Sequence, residues 1–145
     1  MTFIKRYWRI VFPLFFIALI WYFSSQDANA SDGVSMGWAE FLRLPNGATR
    51  KLAHMTLFAC LGFSFSYFLK GLNPSKFPNV ITTISAFIVC FCYGTIDEVH
   101  QIFTPGRSSE ISDIFIDTLG GCIGIAAFIA IFCFWNRFRL RKKSK

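Results

Sequence analysis

The polar side chains able to do chemistry fall into three short groups in an otherwise apolar sequence. Within each group they lie mostly three or four residues apart, so a helix would place them on one face. Imidazole and carboxylate groups together can hold a divalent cation or transfer protons, and cationic groups can bind a phosphate. The groups are Arg50, Lys51 and His54; Asp97, Glu98, His100 and Gln101; and Asp113 and Asp117.

Some of these side chains also have a purely structural interpretation. Glu110 and Asp113 follow a serine pair that would cap a helix, where the macrodipole alone favours acidic residues. His54, Asp97 and Asp117 are harder to explain in this way, because ionisable groups at the edge of the hydrocarbon layer are energetically expensive. We therefore expect these last three residues to form the functional core of the site.

Five further side chains have two interpretations each. Arg107 follows a Pro-Gly pair typical of a type II turn, where it is either solvated or paired with a carboxylate. Arg50 and Lys51 either bind a ligand or extend to the membrane surface. Ser25 and Gln26, at the end of an apolar run, either cap a helix or belong to the site.

The composition excludes most soluble classes of protein. Of the 145 residues, 54% are apolar and 16% are charged, whereas soluble domains carry about 25% charged residues. The net charge of +7 does not indicate nucleic-acid binding, because the Lys and Arg residues lie between apolar runs. The five cysteines all fall inside apolar runs, and no motif for a soluble cofactor occurs. We expect an integral membrane protein with no metal, no other cofactor and no nucleic-acid partner.

Four uncharged stretches have lengths close to the ~20 residues that a helix needs to cross the hydrocarbon layer. These stretches are 10–26, 52–69, 77–96 and 118–136. We predict an all-α bundle of four transmembrane helices that forms a single domain over residues 1–145. Gly120 and Gly124 form a G-x-x-x-G motif that favours close packing of helices, within the chain or in a helix-mediated oligomer. The expected spans are approximately 8–26, 50–69, 77–101 and 109–136.

The distribution of basic residues predicts the orientation. Of the 15 basic residues, eleven lie before the first span, between the second and third, or after the fourth, and these segments share one side of the membrane. By the positive-inside rule this side is the cytoplasm, so both termini are cytoplasmic in a multi-pass protein of the cell membrane. An alternative is a secretory signal cleaved after Ala28-Asn29-Ala30, which would leave three spans and the same outer face.

An ordered series of short motifs covers nearly the whole chain. The motifs are Ser24-Ser25-Gln26; Arg50-Lys51-x-x-His54; Asp97-Glu98-x-His100-Gln101; Pro105-Gly106-Arg107; and Asp113-x-x-x-Asp117-x-x-Gly120. No single motif is specific, but the ordered set resembles the VanZ-like membrane proteins, a family named after a teicoplanin-resistance protein. One departure is Phe58, at the position where the family's tyrosine is expected. The resemblance implies a four-helix protein of the bacterial cell envelope linked to low-level teicoplanin resistance, without a settled biochemical activity.

Three functional classes follow from these residues. The leading hypothesis is a non-enzymatic or transport-like protein with an outward-facing polar cavity. This cavity would engage a membrane lipid, a lipid-linked cell-wall precursor or a lipoglycopeptide. The alternative is a membrane-embedded acid–base or metal-dependent enzyme that acts on a lipid phosphate or a lipid-linked sugar. The sequence lacks the hydrolase, zincin and nucleotide-binding motifs, which disfavours an enzyme. A purely structural partner of other membrane proteins is the third class.

Overall fold

The computed structural model of the protein describes four stretches of the chain and shows an all-helical fold. No strand occurs in the stretches described. Three of the helices are long and apolar enough to cross a membrane, and Trp8–Ser24 is a shorter apolar helix. The fold is therefore that of a helical membrane protein. The described residues are 7–26, 46–73, 79–105 and 110–143.

The helices run in alternating directions. Ser24, at the end of the first helix, donates a hydrogen bond to Asp97 near the end of the third. Lys51, near the start of the second helix, pairs with Asp113 near the start of the fourth. One end of the bundle, which we call the site end, therefore contains two helix C-termini and two helix N-termini. After the 3-10 turn Trp8–Ile10, the helices are α1 (Val11–Ser24), α2 (Asn46–Leu72), α3 (Val80–Gln101) and α4 (Ile111–Lys143).

The helices differ in length from the expected spans. α2 begins before residue 50 and ends after residue 69, and α4 continues well beyond residue 136. At the C-terminal ends of α2 and α4 the reason is that charged residues limit the expected spans, whereas Lys and Arg are good helix formers and extend a helix into water. α3 begins later than residue 77 because Asn79 caps it, with Oδ1 accepting a hydrogen bond from the backbone N–H of Thr82 at 2.7 Å.

α2 and α4 make the most extensive helix contact in the described part of the bundle. Glycines on α4 allow this contact, because their backbone lies directly against the backbone of α2. A Cβ atom at Gly120 would overlap the carbonyl oxygen of Met55, and one at Gly124 would overlap that of Ala59. The close-packing role expected for the G-x-x-x-G motif is confirmed within the chain.

The bundle interior beyond the site end is mostly apolar, and the buried Ser64 and Ser66 donate to carbonyls of their own helix. Ile20, Phe58 and Leu61 are fully buried and pack together. The ring of Tyr93 lies 6.1 Å from that of Phe58, and its hydroxyl donates a hydrogen bond to the Ile17 carbonyl at 2.7 Å. Large apolar side chains stay exposed on the outer faces of all four helices, as a protein surrounded by lipid requires.

Candidate functional site

The structure brings His54, Asp97 and Asp117 together at the site end, each from a different helix. His54 Nδ1 lies 3.7 Å from Asp97 Oδ2 and 3.8 Å from Asp117 Oδ1. Both aspartates are only 1% exposed. We call these three residues the His–Asp–Asp cluster. Because its members come from α2, α3 and α4, the cluster joins three helices at one point.

Asp97 is held in place by two hydrogen bonds to the same carboxylate oxygen. Ser24 Oγ donates to Asp97 Oδ2 at 2.8 Å, and Gln101 Nε2 donates to it at 2.9 Å. Sequence analysis missed Ser24 as a site residue, although a hydroxyl inside an apolar helix was a usable signal. These bonds fix the orientation of the carboxylate, whose other oxygen accepts no hydrogen bond from the described residues.

Asp117 lies deeper in the bundle and has different surroundings. It lies about 9 Å along the helix from the start of α4, at ~1.5 Å per residue. Neither of its carboxylate oxygens accepts a hydrogen bond within the described part of the chain. Gly94 on α3 leaves space for it, since a Cβ there would lie 3.3 Å from the Asp117 Cβ. Buried polar atoms without partners are rare in native folds and call for a physical explanation.

Lys51 links the starts of α2 and α4 at the rim of the site. Its Nζ lies 2.9 Å from Glu110 Oε2 and 2.7 Å from Asp113 Oδ1. The hydrogen bond from Lys51, aided by one from the Ser112 hydroxyl, keeps the pKa of Glu110 below its ordinary value. From sequence, Glu110 either only favours the start of a helix or belongs to the site, and its pairing with Lys51 is a finding of the structure.

The Lys51–Glu110 pair predicts a pH dependence of stability. Because the pKa of Glu110 is lowered in the folded protein, the pair stabilises the fold above the unfolded-state pKa, and this gain disappears as the pH falls. We expect the Tm of wild type to exceed that of Glu110→Gln near neutral pH. This difference should shrink towards about pH 3.5. Thermal unfolding in detergent at several pH values measures it, and a difference that widens in acid contradicts the prediction.

Glu98 has a structural role at the same end of the bundle. Its side chain is buried, with 2% exposure, and Oε2 accepts a hydrogen bond from the backbone N–H of Glu110 at 3.1 Å. Glu110 directly precedes α4, so the contact satisfies a backbone donor at a helix start. Glu98 therefore connects the end of α3 to the beginning of α4.

Several candidate residues lie apart from the His–Asp–Asp cluster. The His100 ring stacks on Trp21 with centroids 4.0 Å apart, and its Nε2 is 3.1 Å from Ser25 Oγ. Gln26 is described only at the end of the first stretch, where its backbone N–H donates to the Phe23 carbonyl. Arg107 lies outside the described residues. The two histidines thus occupy separate environments.

A narrow cleft runs beside the His–Asp–Asp cluster. The volume open to the centre of a water molecule is about 10 Å³, so the cleft has room for one water or one bare ion. Two cations and two carboxylates line it, together with His54 of the cluster. The lining residues are Arg50, Lys51, His54, Gln101, Asp113, Ile116 and Asp117.

The fold and the site together define a class of protein: a helical membrane protein with a buried polar cluster at one end of its bundle. Within that class, the chain belongs to the VanZ/LLP1 family, because the family model of that description matches residues 9–134. The match includes every residue of the His–Asp–Asp cluster and confirms the resemblance seen in the sequence motifs. Comparison with curated proteins and with solved structures finds no match.

Proposed function

We propose that the protein belongs to the bacterial cell envelope and binds the anionic headgroup of an amphipathic molecule at the site end. The molecule would be a phospholipid, a lipid-linked cell-wall precursor or a lipoglycopeptide, and binding would underlie low-level teicoplanin resistance. One observation carries the proposal: buried titratable side chains lie within membrane-spanning helices beside a cleft lined by Arg50 and Lys51. Ionisable residues in such helices are expensive and typically mark the path of a ligand.

The rim of the site has the features that a phosphate needs. α2 and α4 both begin there, so the positive ends of two helix dipoles face the same boundary. The Lys51 side chain is 32% exposed, so its ammonium group can exchange a carboxylate for a ligand phosphate without leaving the surface. The apolar chain of the ligand would lie against the exposed apolar faces of the helices.

We place the site end at the outer face of the membrane and the segments before α1 and after α4 in the cytoplasm. The support is the distribution of basic residues, eleven of 15 of which lie on the proposed cytoplasmic side. Cations at the opposite end of the bundle lie over aromatic rings. Arg9 covers Tyr67 and Lys70 covers Phe132, each 4.4 Å from the ring centroid.

The test is retention of phosphatidylglycerol by purified protein in detergent, measured by native mass spectrometry against phosphatidylcholine. We expect Lys51→Gln to weaken phosphatidylglycerol retention at least tenfold, because a charge-assisted hydrogen bond contributes about 1.5–3 kcal/mol. Lys70→Gln is the matched control, since it removes a lysine at the other end of the same helix. In a susceptible bacterium, Lys51→Gln should also abolish protection against teicoplanin while Lys70→Gln retains it.

Equal retention by wild type and Lys51→Gln would contradict the proposal. So would an equal loss in Lys70→Gln, because the effect would then reflect general attraction of lipid to a basic protein. A wild-type protein that prefers phosphatidylcholine would contradict recognition of an anionic headgroup.

A second candidate function is a membrane-embedded acid–base enzyme that acts on a lipid phosphate. The observation that favours it is the position of His54 within 4 Å of two buried carboxylates, an arrangement able to accept and return a proton. Release of phosphate or of a headgroup from the same lipids, lost in His54→Ala, would favour this function over binding alone.

A further inference from the structure

We propose that the His–Asp–Asp cluster is a binding site for one divalent metal ion of the Mn²⁺ or Zn²⁺ class. One donor atom each from His54, Asp97 and Asp117 lies within 4.8 Å of the other two. Because the three residues come from α2, α3 and α4, the ion would join the same helices that the cluster already connects. From the sequence we expect no metal, and a metal-dependent enzyme is only the alternative function.

The distances within the cluster suit ligands of a common ion better than hydrogen-bond partners. His54 Nδ1 lies 3.7 Å and 3.8 Å from the two carboxylate oxygens, beyond the hydrogen-bond range of about 2.7–3.2 Å. Two ligand atoms at about 2.1 Å from one metal ion stand about 3–3.5 Å apart. Movements of a few tenths of an ångström would therefore bring His54 Nδ1 and each carboxylate oxygen into this range.

The buried carboxylate oxygens of the cluster supply an independent reason. Both oxygens of Asp117 and Oδ1 of Asp97 accept no hydrogen bond from the described residues, and both side chains are 1% exposed. Coordination to an ion would satisfy oxygens that the fold leaves without donors. Ser24 and Gln101 donate to Oδ2 of Asp97, the oxygen that lies 3.7 Å from His54 Nδ1, and they orient this carboxylate as outer partners of a metal ligand commonly do.

The charges around the cluster point to a cation as well. Lys51 lines the same cleft as Asp117, but its ammonium group is already paired with Glu110 and Asp113. A divalent ion would balance the two carboxylates. One imidazole nitrogen with carboxylate oxygens is a donor set for Mn²⁺ or Zn²⁺ rather than for a thiolate-preferring ion.

A metal ion in the cluster would also attract a phosphate that binds at the rim. Three protein ligands leave coordination positions open, and a phosphate oxygen of the lipid headgroup would occupy one of them. This bridging role rests on the proposed function, whereas the metal site itself does not.

The experiment is a titration of metal-stripped protein in detergent with Mn²⁺, followed by electron paramagnetic resonance in the absence of lipid. We expect one Mn²⁺ per chain, displaced by Zn²⁺. His54→Ala and the nearly isosteric Asp117→Asn should each weaken binding at least tenfold, and Ser24→Ala about tenfold. His100→Ala is the matched control that should bind Mn²⁺ as wild type does, because His100 lies against Trp21 and away from the cluster. Thermal unfolding of each variant verifies that it is folded.

Three results would overturn the metal site. The first is that wild type binds neither Mn²⁺ nor Zn²⁺ at about 1 mM. The second is that Asp117→Asn still binds the ion as wild type does. The third is that His100→Ala loses binding as much as His54→Ala does. Phosphatidylglycerol retention with and without Mn²⁺ then separates the two proposals. Lipid retention that needs Mn²⁺ supports the bridging role of the ion between the protein and the phosphate. Lipid retention unchanged by Mn²⁺ overturns that bridging role alone. Metal binding without any lipid retention contradicts the proposed function and supports the metal site.

Discussion

Asp97→Ala is expected to lower the free energy of unfolding by about 3–5 kcal/mol, as removal of one partner from a buried charged group typically does. Asp97 Oδ2 accepts hydrogen bonds from Ser24 and Gln101 and lies 3.7 Å from His54 Nδ1. Alanine would leave Ser24 on α1 and Gln101 on α3 without their buried acceptor, and would remove the carboxylate that His54 faces. Equilibrium unfolding in mixed detergent, followed by far-UV circular dichroism, measures the change.

Thr95→Ala is the matched control for this substitution. Thr95 lies on the same helix, and its hydroxyl donates only to the Phe91 carbonyl of that helix. Its loss should change the free energy of unfolding by no more than about 0.5 kcal/mol. Asp97→Asn keeps one acceptor oxygen, so its free energy of unfolding should lie between those of Asp97→Ala and Thr95→Ala. If Asp97→Ala were as stable as Thr95→Ala, the hydrogen bonds to Asp97 would not hold the helices together.

Gly124→Leu is expected to disrupt the pairing of α2 and α4. Even a Cβ atom at this position overlaps the carbonyl oxygen of Ala59, and a backbone group cannot move aside as a flexible side chain can. Overpacking typically costs about 1–3 kcal/mol, and here it would also separate the helices that carry His54 and Asp117. We expect a lower Tm and a lower yield of folded protein after detergent extraction, with Gly124→Ala giving a smaller change in the same direction.

Ala127→Leu provides the comparison, because Ala127 is an exposed position on the same helix. The same side chain is introduced there, but it faces outward from the bundle. We expect this variant to extract and unfold like wild type. Equal behaviour of the two leucine variants would contradict the close approach of α2 and α4 at Gly124.

Much of the fold could be predicted from sequence because its signals are local. Long uncharged runs indicate helices that cross a membrane, and three- or four-residue spacing places polar residues on one helix face. His54, Asp97 and Asp117 attract notice because a charge inside an apolar run is costly wherever the helices pack. The glycine motif on α4 could likewise be assigned to packing, since small residues are what close helix contacts need.

Side-chain partners across helices could not be predicted, because they depend on how each helix is rotated in the bundle. His100 is only three residues from Asp97, yet it stacks on Trp21 of α1 instead of facing the cluster. Ser24 lies next to the expected site residue Ser25, and a difference of one position directs its hydroxyl to Asp97. The partners of Lys51 depend in the same way on the packing of α2 against α4.

The two histidines provide the most direct test of whether the His–Asp–Asp cluster is the functional site. Both lie at the site end, but His54 contacts Asp97 and Asp117, whereas His100 lies against Trp21. The measurement is phosphatidylglycerol retention by purified His54→Ala and His100→Ala, each verified as folded by its Tm. We predict that His54→Ala loses retention at least tenfold while His100→Ala keeps the wild-type level. Folded His54→Ala that retains the lipid as wild type does would contradict the assignment of the site.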